Sequence, residues 1–248
     1  MTEEELLRGR FCDLAEKAYG ENRYVFSDFL NMAEISLLKS IKEISYMPVT
    51  LFGGVEGAER CMARFGSEAL FGYTQDFPIA CILAEPIAPK FSDTLTHRDF
   101  LGAILNAGIE RSVIGDIIVT ENQAYIFCKD ELADYIAENL QRAKHTALKT
   151  SRPDRLPQAL YRTEERTVQV ASLRPDCLVA KVWNLSREDA NSLFFTGKVF
   201  VNGKELQNNS ATIQSNDLIS VRGYGRFRFL SASPTRKGKL NAAIQYYV

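Results

Sequence analysis

The sequence predicts an α+β protein, and three observations carry that prediction. Residues 1–46 repeat apolar positions at helical spacing, residues 47–150 alternate short apolar runs with helical patterns, and the last third combines two helical patterns, the second capped by Ser186 with Asp189, with strand-like segments. With 248 residues, 46% of them hydrophobic, the chain has enough apolar material for more than one core. We divide it into an N-terminal helical segment, 1–46, a middle α/β domain, 47–166, and a C-terminal domain, 167–248, ending in a basic tail.

In the N-terminal segment Leu6, Leu7, Phe11, Leu14 and Ala18 lie on one side of a helix from Glu3 to Tyr19, and Thr2 with Glu5 makes a capping box. Ser27 is expected to cap a second helix reaching Ile44, with Leu30, Ala33, Leu37, Leu38 and Ile41 on its apolar side and Pro48 closing it. The period then changes. VTLF at 49–52 and PIACILA at 78–84 read as short buried strands, with a helix over 58–65 between them.

Thr96 can cap a helix whose apolar face is Phe100, Leu101, Ile104 and Leu105, and Gly108 suits its left-handed end. Residues 116–119 and 123–127 read as a hairpin around Glu121 and Asn122, followed by a helix over 131–140. Strand, helix, hairpin, helix is the order of a ferredoxin-like or RNA-recognition-motif-like fold with its helices on one face of the sheet. Residues 151–166, polar and holding two prolines, read as a linker, after which TVQVA (167–171) resumes a strand pattern.

The formal net charge of −1 conceals a split. Residues 1–150 carry 15 Lys+Arg against 23 Asp+Glu, whereas residues 151–248 carry 15 against 8. No acidic side chain follows Asp217, yet Arg222, Arg226, Arg228, Arg236, Lys237 and Lys239 do. If VRGYGRFRF (221–229) is one strand, Arg222, Tyr224, Arg226 and Arg228 share a face about 20 Å long, opposite Val221, Phe227 and Phe229. A basic surface interleaved with aromatics is the footprint of a nucleic-acid binder.

Other chemistries lack their residues. His97-Arg98-Asp99 matches a kinase catalytic triplet, but Ile104 stands where a magnesium-binding asparagine belongs and no companion motif is present; Asp99 three residues after Thr96 is better placed to cap the helix. Phe52-Gly53-Gly54-Val55-Glu56-Gly57 has the wrong spacing for a phosphate loop and reads as a tight turn. Two histidines and no H-E-x-x-H leave metal hydrolysis without ligands, so no cofactor, no metal and no catalytic residue are expected. The five cysteines are scattered, without a C-x-x-C, and are expected to be reduced. An acidic N-terminus and the lack of an apolar run of membrane-spanning length predict a cytoplasmic protein with no membrane partner.

One resemblance sharpens this reading. Arg174 and Asp176 opening a helix, Ser186-Arg187 opening the next, Gly197-Lys198-Val199 ending it, Val201-Asn202-Gly203 turning a hairpin, and Asp217 ahead of Val221-Arg222-Gly223 together resemble the S4 RNA-binding domain over residues 172–230. Pro175 departs from the leucine usual there, and proline is tolerated in a first helical turn. With THRDFLGAILNAGI upstream and VRGYGRF downstream, the whole chain resembles the YlmH family of bacterial S4-domain RNA-binding proteins.

The resemblance implies a non-enzymatic, monomeric protein that binds structured rRNA and tRNA on the large ribosomal subunit and assists rescue of stalled nascent chains; family members are also linked to cell division. The RNA-binding residues it nominates, with those of the basic tail, are Arg174, Asp176, Lys181, Ser186, Arg187, Lys198, Asn202, Lys204, Arg222, Tyr224, Arg226, Arg228, Arg236, Lys237 and Lys239. The alternatives are a protein-interaction factor in cell division and an RNA-modifying enzyme tethered by its S4 module.

Overall fold

A computed structural model describes residues 2–156, 160–161, 163–209, 211–236 and 238–247. Backbone contacts separate the chain into two units, residues 1–160 and 161–248. Among the described residues no helix is long and apolar enough to cross a membrane, no acidic or thiol cluster could hold a metal, and all five cysteines are unpaired.

The first unit starts with helix α1 (Glu3–Gly20), whose capping box is in place: the Glu5 N–H donates to the Thr2 hydroxyl at 3.2 Å and the Thr2 N–H to the Glu5 carboxylate at 2.7 Å. Its Phe11, Ala15 and Ala18 are buried. The next element is a strand, β1 (Val25–Leu30), and only then α2 (Met32–Ser40). Ser27 therefore caps nothing. It sits buried in β1, accepting the Ala63 N–H at 2.8 Å. The sequence VFSDFL alternates inward and outward side chains, and Asn31 with Glu34 supplies a stronger capping box four residues later.

The N-terminal segment is thus helix, strand, helix, and its strand joins β2 (Val49–Phe52) and β3 (Cys61–Phe65) in an antiparallel sheet ordered β1-β3-β2. The helix expected over 58–65 is replaced by β3, the central strand of that sheet; Gly54 and Gly57, at φ +91° and +82°, turn the chain back from β2 into it. A short helix, α3 (Glu68–Phe71), closes the region, and Phe11, Ile35, Leu38, Ile44, Ala63 and Phe65 share its core.

The chain then lays down β4 (Ile79–Pro86), α4 (His97–Asn106), β5 (Ile114–Thr120), β6 (Gln123–Lys129), α5 (Ala133–Asn139), β7 (Arg142–Ala143) and β8 (Thr146–Ser151). The sheet runs β5-β6-β4-β8-β7 with every neighbour antiparallel. Phe100 and Ile104 of α4 and Ile136 of α5 pack with Ile82, Ile114 and Ile126 in one core. The predicted hairpin turns on Glu121 and Asn122, both left-handed, and Thr96 and Asp99 form the predicted cap. The Thr96 hydroxyl and N–H and the Lys144 ammonium bond the Asp99 carboxylate and push its pKa down to about 2.

A buried node ties this sheet to the N-terminal one. The carboxylate of Asp116 in β5 accepts the backbone N–H groups of Glu59 and Arg60 at 2.6 and 3.2 Å, and the Arg60 guanidinium donates to carbonyls of Phe29, Arg111 and Ile114 at 2.8–3.1 Å. Arg111 donates to Ile114 and Gly115, and burial followed by its neighbour Arg60 pushes its pKa down to about 10.

The second unit contains β9 (Thr163–Val170), α6 (Pro175–Val182), α7 (Arg187–Phe195), β10 (Val199–Val201), β11 (Lys204–Glu205), β12 (Leu218–Val221), β13 (Gly225–Pro234) and β14 (Leu240–Tyr247). Its antiparallel sheet is ordered β11-β10-β12-β13-β14-β9, so β9 begins inside the expected linker and pairs with the last strand. Leu178, Val179, Ala190, Leu193 and Phe194 from the helices pack with Val199, Ile219, Phe227, Phe229 and Ile244 from the sheet.

VRGYGRFRF is not one strand. Val221 pairs with Gly225 across a turn made by Arg222, Gly223 and Tyr224, and the Tyr224 N–H donates to the Val221 carbonyl at 3.0 Å. Gly223 and Gly225 hold φ +87° and +117°, which side-chain-bearing residues rarely adopt, so the two glycines fold the segment into a hairpin.

Two outcomes follow for the first unit. Asp116→Ala leaves two N–H groups without their acceptor and removes the negative charge that favours the buried Arg60 and Arg111 guanidiniums, and should lower the stability of this unit by about 3 kcal/mol in denaturant unfolding, with protection lost first from β1 and β5 amides in hydrogen exchange. Burial raises the pKa of Asp28, but hydrogen bonds and charge from Lys129 and Arg10 outweigh it and hold the folded value below normal. Its contribution is therefore complete above the ordinary carboxyl value of about 3.9 and lost as pH falls through the depressed one; Asp28→Asn should flatten the acid limb of the stability profile.

Candidate nucleic-acid interface

The cationic residues of the second unit divide by what holds them. Arg174, at the N-cap of α6, grips the carboxylate of Asp176 through Nε at 3.0 Å and Nη2 at 2.7 Å, and Asp176 is buried to 3% exposure. That contact raises the Arg174 pKa further and ties both residues into the helix start. Ser186 caps α7, its hydroxyl accepting the Asp189 N–H at 3.0 Å. Asn202 occupies the left-handed turn position, donates Nδ2–H to Asp217 at 2.7 Å and accepts the Leu218 N–H at 3.0 Å. Arg174, Asp176, Ser186 and Asn202 thus build the domain.

Lys181 in α6, Arg187 at the first turn of α7, Lys198 behind Gly197, and Lys204 in β11 are exposed, and no carboxylate among the described residues pairs with their side chains. Arg236 and Lys239 stand exposed in the loop between β13 and β14; Lys237, nominated with them, lies outside the described residues.

The arginines nominated from VRGYGRFRF are separated by the hairpin. Phe227 and Phe229 point into the core, so Arg226 and Arg228 point to the opposite face of β13. Arg226 lies 4.4 Å from the ring centroid of Tyr247 and 5.4 Å from that of Tyr161, and burial pushes its guanidinium pKa down. Arg228 donates to the Asn216 carbonyl at 2.8 Å. Arg222, in the turn, lies 4.7 Å from the ring of Phe200, which shares a face with Ser220 and Arg226 through the ladder. Tyr224 leaves the row and packs at 6.0 Å against Trp183 on the helix side. The expected continuous row becomes two arginines on aromatic supports, Arg222 and Arg226, with Arg228 held by a backbone carbonyl.

In the first unit the sheet face away from α4 and α5 presents Cys81 and Leu83 of β4 and Tyr125 and Phe127 of β6, paired Cys81 to Phe127 and Leu83 to Tyr125. Tyr125 and Phe127 are buried at 7% and 1% exposure. Phe127 is roofed by the Gly54 turn, where a Cβ would meet its ring at 2.4 Å, and Phe52, Phe77 and Leu156 line the adjoining cavity.

Residues 73–154 match the family model described as "Putative RNA-binding domain in YlmH". Over these residues the chain is similar to the YlmH domain, and the stretch carries that label below. Likeness to YlmH-type proteins extends beyond it: 206 residues, 82% of this chain, align at 29% identity with 79% of "Ribosome-associated protein quality control protein P2" of Bacillus subtilis. The solved "Cell division protein ylmH from Streptococcus pneumoniae" superposes with a TM-score of 0.50 at 20% identity, covering 62% of this chain and 92% of that one.

The YlmH domain contains none of the residues nominated from the sequence, which lie between Arg174 and Lys239. It is acidic, with 8 Lys+Arg against 12 Asp+Glu over 73–154, so a search led by positive charge passes over it. The signal that points to it is THRDFLGAILNAGI (96–109), one of the two stretches that carry the family resemblance, while the alternation in QAYIFCK sends Tyr125 and Phe127 to one face and Ala124, Ile126 and Cys128 to the other.

Asn202→Ala should destabilise the second unit by about 2 kcal/mol in urea unfolding, because the left-handed backbone is kept without the side-chain bonds that support it. A variant that loses RNA binding while keeping full stability would make Asn202 a direct contact instead.

Proposed function

We propose that this protein is a cytoplasmic, non-enzymatic RNA-binding factor that grips structured rRNA, and tRNA beside it, on the large ribosomal subunit and assists rescue of stalled nascent chains. The observation that carries this reading is the group of unpaired, exposed cations Lys181, Arg187, Lys198 and Lys204 in the half of the chain where positive charge exceeds negative. Side chains of this kind displace counterions from phosphates and recognise backbone shape without reading sequence. The likeness to a protein named for ribosome-associated quality control supports the ribosomal setting.

We read the second unit as an S4 domain: two helices, the second capped by Ser186, lead into a hairpin turned by Asn202-Gly203, and Asp217 fastens that turn to the next strand. We read the YlmH domain as RNA-recognition-motif-like. Its β-α-β-β-α-β succession with strand order β5-β6-β4-β8 supports this, and β7 lies beyond β8 at the edge. In this division of labour the cationic second unit supplies phosphate contacts and the YlmH domain adds a contact of lower charge, with the protein acting as a monomer.

Replacing Arg187 and Lys198 together by alanine should weaken co-sedimentation with large ribosomal subunits about tenfold and reduce the slope of log affinity against log salt by about 1.5. Unchanged sedimentation and slope would remove the basis of the reading. A role in cell division through direct protein contacts predicts complexes that survive nuclease treatment of a lysate, whereas RNA-mediated ones collapse.

A further inference from the structure

Phe195 is the last residue of α7 and is 86% exposed, while its neighbour Phe194 is buried at 2%. The helix needs only one of them: Ala190, Leu193 and Phe194 complete the apolar stripe, and Phe195 projects outside it. Leaving a phenylalanine ring in water forgoes about 2 kcal/mol of burial, and no ring contact holds it in place within the unit.

The turn after α7 brings cations to that ring's end of the helix. Gly197, at φ +62°, reverses the chain so that the Lys198 N–H donates to the Leu193 carbonyl at 2.9 Å, laying Lys198 alongside the last helical turn. The Lys198 carbonyl accepts the Arg222 N–H, also at 2.9 Å, so the turn between β12 and β13 lies next to it. Arg222 in turn rests over Phe200 at 4.7 Å and is exposed. The Glu205 carboxylate reaches this edge near Gly197, is bonded by Gln207 at 3.2 Å, and offsets part of the positive charge.

We propose that Phe195, with Lys198 and Arg222 at the same end of α7, is a stacking site for an unpaired RNA base. An exposed aromatic face accepts any base, and flanking cations hold the phosphates on either side of it. A hydrophobic pocket on a protein partner fits less well, because closing over a single ring would strip water from Lys198 and Arg222 without pairing them. The inference rests on the RNA-binding reading of the second unit and adds to it a preference for unpaired nucleotides.

The test measures affinity of the full chain for a single-stranded oligouridylate and for an RNA duplex of the same length. Phe195→Ala, a fully solvent-facing change that leaves the core intact, should weaken oligouridylate binding about tenfold, leave duplex binding unchanged and keep the salt slope, while Phe195→Trp restores the loss. Equal effects on both RNAs, no effect on either, or failure of tryptophan to restore binding would overturn the stacking site. If Lys198→Ala and Arg222→Ala weaken both RNAs while Phe195→Ala weakens neither, the stacking site falls and the RNA-binding reading stands. Wild-type protein that binds neither RNA overturns both.

Discussion

The alternation of β13 is the constraint on which the second unit depends. Phe227 and Phe229 must enter the core beneath α6 and α7, so the residues between and before them are forced to the other face. Those residues are Arg226 and Arg228, and each needs support there. Tyr161 and Tyr247 supply it for one, and the Asn216 carbonyl for the other. A one-residue slip would bury two guanidinium groups and expose two phenylalanines, a cost far above any gain in the ladder. The register is further pinned by the Gly223 and Gly225 backbone at the hairpin and by Asn202 bonding across to Asp217 and Leu218. Geometry dictated by packing thus decides which cations face outward.

The first unit solves a different problem. Two sheets meet at Asp116, where one carboxylate faces two arginines, and the arginines spend their donors on backbone carbonyls. These carbonyls lie at ladder irregularities or in a connection, Phe29 beside the register shift of β1, Ile114 and Gly115 at that of β5 and Arg111 ahead of β5, so the node bonds backbone where the ladders are interrupted. Arg60 and Arg111 are therefore poor candidates for ligand contacts despite their charge.

Features written in local chemistry were legible. The Thr2–Glu5 and Thr96–Asp99 caps, the Glu121-Asn122 and Asn202-Gly203 turns and the start of α7 at Ser186 each depend on a few adjacent residues. What escaped depended on partners far along the chain. Ser27 looks like a cap until Ala63 is seen to need its hydroxyl, and Cys61–Phe65 looks helical until β1 and β2 flank it on both sides. In VRGYGRFRF the alternation was real, but the glycines weighed more than the alternation, since a left-handed backbone at both Gly223 and Gly225 ends an extended run. The charged candidates divided for a similar reason: Arg174 reads as a free cation until burial of Asp176 demands it.

Charge and aromatic surface are separated along this chain, and that separation bears on how RNA is held. Residues 73–154 hold more acidic than basic side chains and draw phosphates poorly from a distance, and Tyr125 and Phe127 on the sheet face away from the helices are buried, Phe127 beneath the Gly54 turn. In the proposed function long-range attraction falls to the second unit, whose unpaired lysines and arginine would act before any close contact forms. Close contact has its own requirements: a surface that excludes water from bases without burying charge. Phe195 meets them where the arginines of the outer sheet face, already resting on Phe200, Tyr161 and Tyr247, do not, because their aromatic supports are covered by the very cations they carry.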